Sequence, residues 1–434
     1  MHYQIMEVMS AKTDFNGEKT RLSHLVEDTL QGLSPIQTIM KMAEPSNIKE
    51  MGVNPEKMIS FGGGWCNHFA PEPLRKIYAN LCKDKDTFHD TGRYSAIIGN
   101  EYCRYQLSQL EQTVYDVKNI SEKNIALGQS STQLFHDVLR VIANPGDDIC
   151  VLDPTYANYA NAVKIALPSS TLRFISALDA STWTYLSNPQ QSLDELQEFA
   201  EQGAKALVVP VPDNPTSQIP PDSFLKGAAD IMQDHNGFLI LDFAYKSLWF
   251  DQMPSCFHWS AEDMPHVIGI HSHSKWLSSL GRRLGWIEAS QSIINGLEKI
   301  NESMLLSPDT LHSMAVAQFL DSSLKNGFVK EYVNNIRQLY KKTATVLTAA
   351  IETYLDWPYL EPMGGLYTVC PTPEQVNPVL FVKKLLKETG TLVIPGVGFG
   401  PSMNHGIRLS YGPLVYDHNL IVEGIKRIST YPVD

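Results

Sequence analysis

The sequence predicts an α/β fold: a large domain built on a mostly parallel sheet flanked by helices, joined to a smaller α+β domain. Three observations predict it. Between about residues 120 and 290, short unbroken apolar runs alternate with helical patterns, as expected of strands buried on both faces. After residue 300 the texture changes to longer helical stretches separated by Gly-containing turns. A chain of 434 residues that is 43% hydrophobic can bury more than one core.

The elements follow in order. A helical segment at 20–43 opens the chain and is expected to pack on the smaller domain or on a partner subunit. The run Leu134, Val138, Leu139, Ile142 has helical spacing, as do Phe224, Ala228 and Ile231. Between and after them, Ile149-Cys150-Val151-Leu152, Ala206-Leu207-Val208-Val209, Phe238-Leu239-Ile240-Leu241 and Val267-Ile268-Gly269-Ile270 read as buried strands. Binding residues are expected at the carboxyl ends of these strands. Helical stretches at 309–322, 327–355 and 379–388 frame Met363-Gly364-Gly365-Leu366-Tyr367 and Leu392-Val393-Ile394-Pro395-Gly396. The expected division is an N-terminal segment 1–58, a large domain 59–305 and a small domain 306–434.

Composition excludes some classes. The formal charge is −12, and no Lys/Arg-rich run stands out. Nucleic acid and anionic membranes are therefore not expected as partners. No apolar run reaches about 18 residues, and the first residues lack the pattern of a secretory leader. The six cysteines are scattered, without a CxxC pair or a cluster with His, so no metal is expected. A reducing, cytoplasmic setting is the expectation.

Six short patterns carry chemistry. Gly128-Gln129-Ser130-Ser131-Thr132 precedes a helix, where free N–H groups and hydroxyls make an anion site; an ordinary N-cap has the same look. Pro154-Thr155-Tyr156 places a ring that can stack on a flat ligand, and a core tyrosine is the plain alternative. Asn214-Pro215-Thr216 offers an amide, or simply a turn. Asp242 ends the strongest strand and Tyr245 follows; a strand-end acid needs a partner such as a protonated pyridine, or it caps a helix. Ser272-His273-Ser274-Lys275 and Gly281-Arg282-Arg283-Leu284-Gly285 then bring a lysine, hydroxyls and an arginine together. A lysine is a nucleophile only when it can shed a proton, and a phosphate nearby would use the hydroxyls and the arginine. A solvated loop is the alternative. Near the end, Arg408 stands in the apolar strand Gly406–Tyr411, where its planar fork suits a carboxylate or an internal ion pair.

The order of these patterns resembles the fold-type I pyridoxal phosphate enzymes, and within them the class I/II aminotransferases of the aspartate-aminotransferase-like fold. The resemblance runs from about residue 30 to the end. Its most specific piece is Ser272-x-Ser274-Lys275 followed by Gly281-x-Arg283-x-Gly285. It implies pyridoxal 5′-phosphate as cofactor and Lys275 as the Schiff-base lysine that shuttles the Cα proton. It pairs Asp242 with the pyridine nitrogen, and Tyr245 and Asn214 with the phenolic oxygen. Tyr156 stacks on the ring, while Ser130, Ser131, Ser272 and Arg283 hold the phosphate, the first two largely through backbone N–H groups. Arg408 clamps the substrate carboxylate. Tyr94, in Arg93-Tyr94-Ser95, is similar to a tyrosine that reaches the phosphate of the neighbouring subunit, which implies a homodimer with sites at the interface. Phe61-Gly62-Gly63-Gly64 resembles the segment lining the substrate pocket, with Gly63 and Trp65 as substrate-binding residues. Trp65, Cys66, Asn67 and His68 depart from the Pro-Asp loop of many relatives.

The implied reaction moves an amino group between an L-amino acid and a 2-oxo acid. A β- or γ-lyase, a cyclopropane-forming synthase or an oxidase of the same fold would share every residue named. A non-catalytic sensor would carry a DNA-binding head before the fold, for which residues 1–30 are too short.

Overall fold

Seven strands form the central sheet of the computed structural model, which describes residues 23–29, 41, 44–373 and 376–431. They are β1 (Ile125–Gly128), β2 (Ile149–Asp153), β3 (Leu172–Ser176), β4 (Ala206–Pro210), β5 (Phe238–Asp242), β6 (Val267–Ser272) and β7 (Gly285–Glu288). The spatial order is β1-β7-β6-β5-β4-β2-β3. The pairs from β6 through β5, β4 and β2 to β3 are parallel, whereas β7 runs antiparallel to both β6 and β1. That reversal matters. It brings the loop before Gly285 back to the edge where the parallel strands end.

Alternation along the strands divides their side chains between two cores. Leu207, Val209, Leu239 and Leu241 point to one face, packed with Leu107 and Leu110 of α1 (Glu101–Tyr115). Ala206, Val208, Ile240 and Ile268 point to the other, packed with Leu134 and Val138 of α2 (Ser131–Ile142). Burial on both sides is why these strands read as continuous apolar runs. The expected helix at 20–43 lies largely outside the described residues.

The later part carries α3 (Thr310–Lys325), α4 (Phe328–Tyr354) and α5 (Pro378–Thr389). Asn377 caps α5 by accepting from Val379 and Leu380 N–H, and Gly390 closes it at φ 67°, a conformation that glycine adopts without steric cost. Strands β8 (Tyr367–Pro371), β9 (Ile394–Pro395) and β10 (Gly406–Ser410) form an antiparallel sheet in the order β8-β10-β9. Ile59–Ser60 pairs in parallel with Thr391–Leu392 as a separate two-stranded sheet, and the chain runs on from it into the segment Phe61–Trp65. Among the described residues no helix is long and apolar enough to cross a membrane.

Candidate active site

A cavity of about 410 Å³ opens where the carboxyl ends of the parallel strands face the smaller sheet. Asp242, the last residue of β5, lines it. Its Oδ2 accepts from the Tyr159 hydroxyl at 2.7 Å and its Oδ1 from Ala244 N–H at 3.0 Å. Burial pushes the Asp242 carboxyl up, and those two donors together with the Lys275 charge oppose the shift. A carboxylate so held is a fixed negative charge for a cationic partner.

Lys275 sits in the short helix His273–Trp276 that begins as β6 ends. Ser272 caps that helix: its Oγ accepts from Ser274 N–H at 3.1 Å and donates to Ser274 Oγ at 2.9 Å. The abrupt change from strand to helix turns Lys275 into the cavity. Its Nζ donates to the Gly64 carbonyl at 2.5 Å and lies 5.3 Å from the centre of the Tyr245 ring.

The anion end is built from two loops. Ser131 and Thr132 open α2 and line the cavity. Ser130 does not: it is buried, and its hydroxyl accepts from Gln133 N–H at 3.2 Å as the helix cap. The Ser130 hydroxyl is therefore committed to the first turn of the helix, and the phosphate contact expected of Ser130 rests on its backbone N–H. Arg283 lines the cavity from the loop before β7, with φ 50° and its Nη1 donating to Leu280 O at 2.7 Å. A non-glycine residue in this left-handed conformation is uncommon. Gly285 has a steric reason: a Cβ there would come within 3.0 Å of Ser131 N and 2.7 Å of the His271 carbonyl oxygen. Glycine lets the start of α2 approach β7, and so brings Ser131 and Arg283 to one place.

The opposite wall holds Arg408, in the middle of β10. Its Nη1 donates to Asn214 Oδ1 at 2.9 Å and its Nη2 to the Gly62 carbonyl at 3.1 Å. The guanidinium lies 4.3 Å from the Tyr367 ring centre and 5.1 Å from that of Phe399. Its Nε is buried without an acceptor. A buried cation with an unmet donor is costly unless an anion joins it. Because Asn214 Oδ1 is held by Arg408, its amide hydrogens are the part left to face a ligand.

Two aromatic residues complete the site. Tyr156 stands edge-on to Tyr159, with ring centres 5.5 Å apart, and burial pushes its phenol up to about 12. Tyr245 Oη lies 2.6 Å from Tyr367 Oη. Gly63 and Trp65 line the mouth. The Trp65 indole rests directly on Gly63, where any side chain would collide with it, and Ser410 Oγ donates to the Gly63 carbonyl. Tyr94 is not among the lining residues; it is 82% exposed on the surface.

The residues present fit pyridoxal phosphate. Asp242 is a half-buried acid that suits a cation, and Arg408 is a buried cation with a free donor. Lys275 lies between them, and the helix start with Arg283 suits a phosphate. Tyr159, Tyr367 and His68 have no role in the sequence patterns, whereas Thr132 closes the Gly128–Thr132 motif. His68 bridges the unusual segment after Gly64 to the lysine's helix: Nε2 is 3.2 Å from Trp276 O, and Nδ1 is 2.9 Å from Tyr340 Oη. The Gly364-Gly365 pair before Tyr367 was the one visible signal for that tyrosine; the others depend on contacts far apart in the chain.

The model of aminotransferase class I and II matches residues 56–421. An uncharacterized aminotransferase of Saccharolobus solfataricus is 23% identical over 402 residues, spanning 91% of this chain and 94% of its own. LL-diaminopimelate aminotransferase of Maridesulfovibrio salexigens is 28% identical over 340 residues, 78% of this chain and 83% of that protein. In fold, the chain is similar to a double mutant of Thermus thermophilus aspartate aminotransferase (TM-score 0.81, 19% identity, covering 95% of this chain and 99% of that one). It is also similar to substrate-bound BacF from Bacillus subtilis (TM-score 0.78, 21% identity, 95% and 98% covered). With a family match across most of its length, the chain belongs to aminotransferase class I and II.

Proposed function

We propose that this cavity binds pyridoxal 5′-phosphate and moves an amino group between an L-amino acid and a 2-oxo acid. The observation that carries the reading is the convergence of Lys275, Asp242 and Arg408, from two different sheets, on one cavity. When bound, the cofactor supplies a reactive carbonyl and a ring that takes up the electron pair left at Cα. The protein does the rest. Asp242 would hold a proton on the ring nitrogen by its negative charge, while Tyr245 and the Asn214 amide would donate to the phenolic oxygen. Ser130 and Ser131, largely through backbone N–H groups, would hold the phosphate with Ser272 and Arg283, and Tyr156 would pack on the ring.

Arg408 takes the substrate carboxylate and so fixes which Cα bond faces Lys275. The Lys275 amine would remove the Cα proton as a general base and, as the ammonium, deliver it as a general acid to the carbon on the far side of the substrate nitrogen. Gly63 and Trp65 meet the substrate side chain. Tyr94, exposed on the surface, serves a second copy of the chain in a homodimer. A cytoplasmic setting agrees with six free cysteines, five of them buried.

Elimination, cyclopropane formation and oxidation are not favoured, since the relatives described above are named aminotransferases. The test is incubation with a panel of amino acids and a 2-oxo acid. Stoichiometric appearance of the new amino acid is expected; release of ammonia or pyruvate without amino transfer would sink the proposal.

A further inference from the structure

Tyr367 is the most deeply enclosed polar side chain of the cavity that the proposed reaction leaves unused. It is 1% exposed and opens β8, where its register partner is Ser410. Its Oη reaches the space beside Gly64, where an added Cβ would come within 3.0 Å of that oxygen. Two contacts define it. Its Oη is 2.6 Å from Tyr245 Oη, and its ring carries the Arg408 guanidinium at 4.3 Å.

A phenol has one proton to donate and can accept through its oxygen. Only one of the two tyrosines can donate in their shared bond. If Tyr245 donated, its oxygen would have no proton left for a ligand. If Tyr367 donates, Tyr245 keeps its own proton, and the two O–H groups polarise each other in a chain. The ring of Tyr367 meanwhile offers its negative face to Arg408. The geometry points to Tyr367 as a positioning residue that donates to Tyr245, leaving the Tyr245 proton for the cofactor's phenolic oxygen, and that seats Arg408 against its ring. This rests on the cofactor reading given above. The charged or titratable groups facing the pair are Arg408, Cys66, Tyr156, Tyr411 and, across the Tyr245 ring, Lys275.

The experiment is a pH titration of the visible absorbance of the holoenzyme without substrate. A donor to an ionised oxygen favours its ionised form, so weakening Tyr245 as a donor raises the midpoint. Tyr367→Phe is expected to raise it by about half a pH unit, and Tyr245→Phe by more. In a Tyr245→Phe background, Tyr367→Phe should add no further shift. Because phenylalanine retains the ring, KM for the amino donor should hold in Tyr367→Phe while kcat falls. Tyr367→Leu, which removes the ring, should raise KM about fivefold. An unchanged midpoint in Tyr367→Phe overturns the inference, as does an equal shift in both backgrounds. If wild type shows no visible band that Lys275→Ala abolishes, the cofactor reading fails and this inference falls with it. Full cofactor occupancy in Tyr367→Phe checks that the variant is folded.

Discussion

Neighbouring residues at one sheet edge face two opposite kinds of polar environment. Tyr245 and Ser272 line the cavity, whereas Lys246 and His271, each one residue away, enter a sealed cluster beneath α1. In the cavity the cations lean on neutral oxygens: Lys275 on the Gly64 carbonyl, Arg408 on Asn214 and the Gly62 carbonyl. In the cluster the charges answer one another. Lys246 Nζ is 2.6 Å from Glu111 Oε2 and lies over the rings of Tyr115 and Phe243 at 4.3 and 4.6 Å. His271 stacks on Trp286 with ring centres 4.5 Å apart. Its Nδ1 is 3.7 Å from Glu111 and its Nε2 3.5 Å from Glu288. Burial holds His271 well below its usual range, so the ring is neutral, and pushes Glu288 up to about 8. The Lys246–Glu111 pair therefore balances itself and Glu288 stays protonated near neutrality. Cations left without a carboxylate mark a place for a ligand; cations that are paired mark architecture.

The comparison can be broken in four ways. Lys275→Ala should lower amino transfer by at least about 10³-fold, through loss of the proton carrier and the nucleophile. It should also abolish the visible band while leaving the denaturation midpoint near that of wild type. Lys246→Met should do the reverse. Removing one partner of a buried pair costs about 3–5 kcal/mol, read from urea unfolding, and a variant as stable as wild type would refute the architectural role.

Glu288→Gln tests the charge state. An unfolded glutamate titrates at about 4.3, and the folded value lies near 8. Between these values the folded form keeps a proton that the unfolded form has released. Rising pH through that window therefore destabilises wild type, by up to roughly 1 kcal/mol per pH unit. The variant should lose this slope and gain on wild type toward pH 8; a stability difference that does not vary with pH would show the assignment to be mistaken. Ser130→Ala is the smallest change. It should cost about 1 kcal/mol as a lost helix cap, with cofactor affinity unchanged. A weakened affinity in that variant would show that the Ser130 hydroxyl, and not its backbone N–H alone, meets the phosphate.

Much of the fold is legible because double-sided burial writes itself into consecutive apolar residues, as in Phe238–Leu241. Short β7, Gly-Trp-Ile-Glu, escapes that reading. Its Glu288 and Trp286 face the polar cluster, so no apolar run appears. Lys275, Asp242 and Arg408 were legible for a different reason. Each is a charge placed in or beside an apolar strand, and such a charge needs a partner.

What the sequence determined by itself was the order of the strands along the chain, the helices between them and the residue types at the strand ends. Which way each side chain faces was set by the packing of the two sheets. Ser130 and Ser131 are adjacent hydroxyls, yet one closes a helix and the other meets the cavity. Tyr367 and Tyr245 are 122 residues apart, and Lys246 and Glu111 are 135. The physical reason is that local propensity sets an element's backbone, whereas side-chain partners depend on which faces the packed sheets turn toward each other.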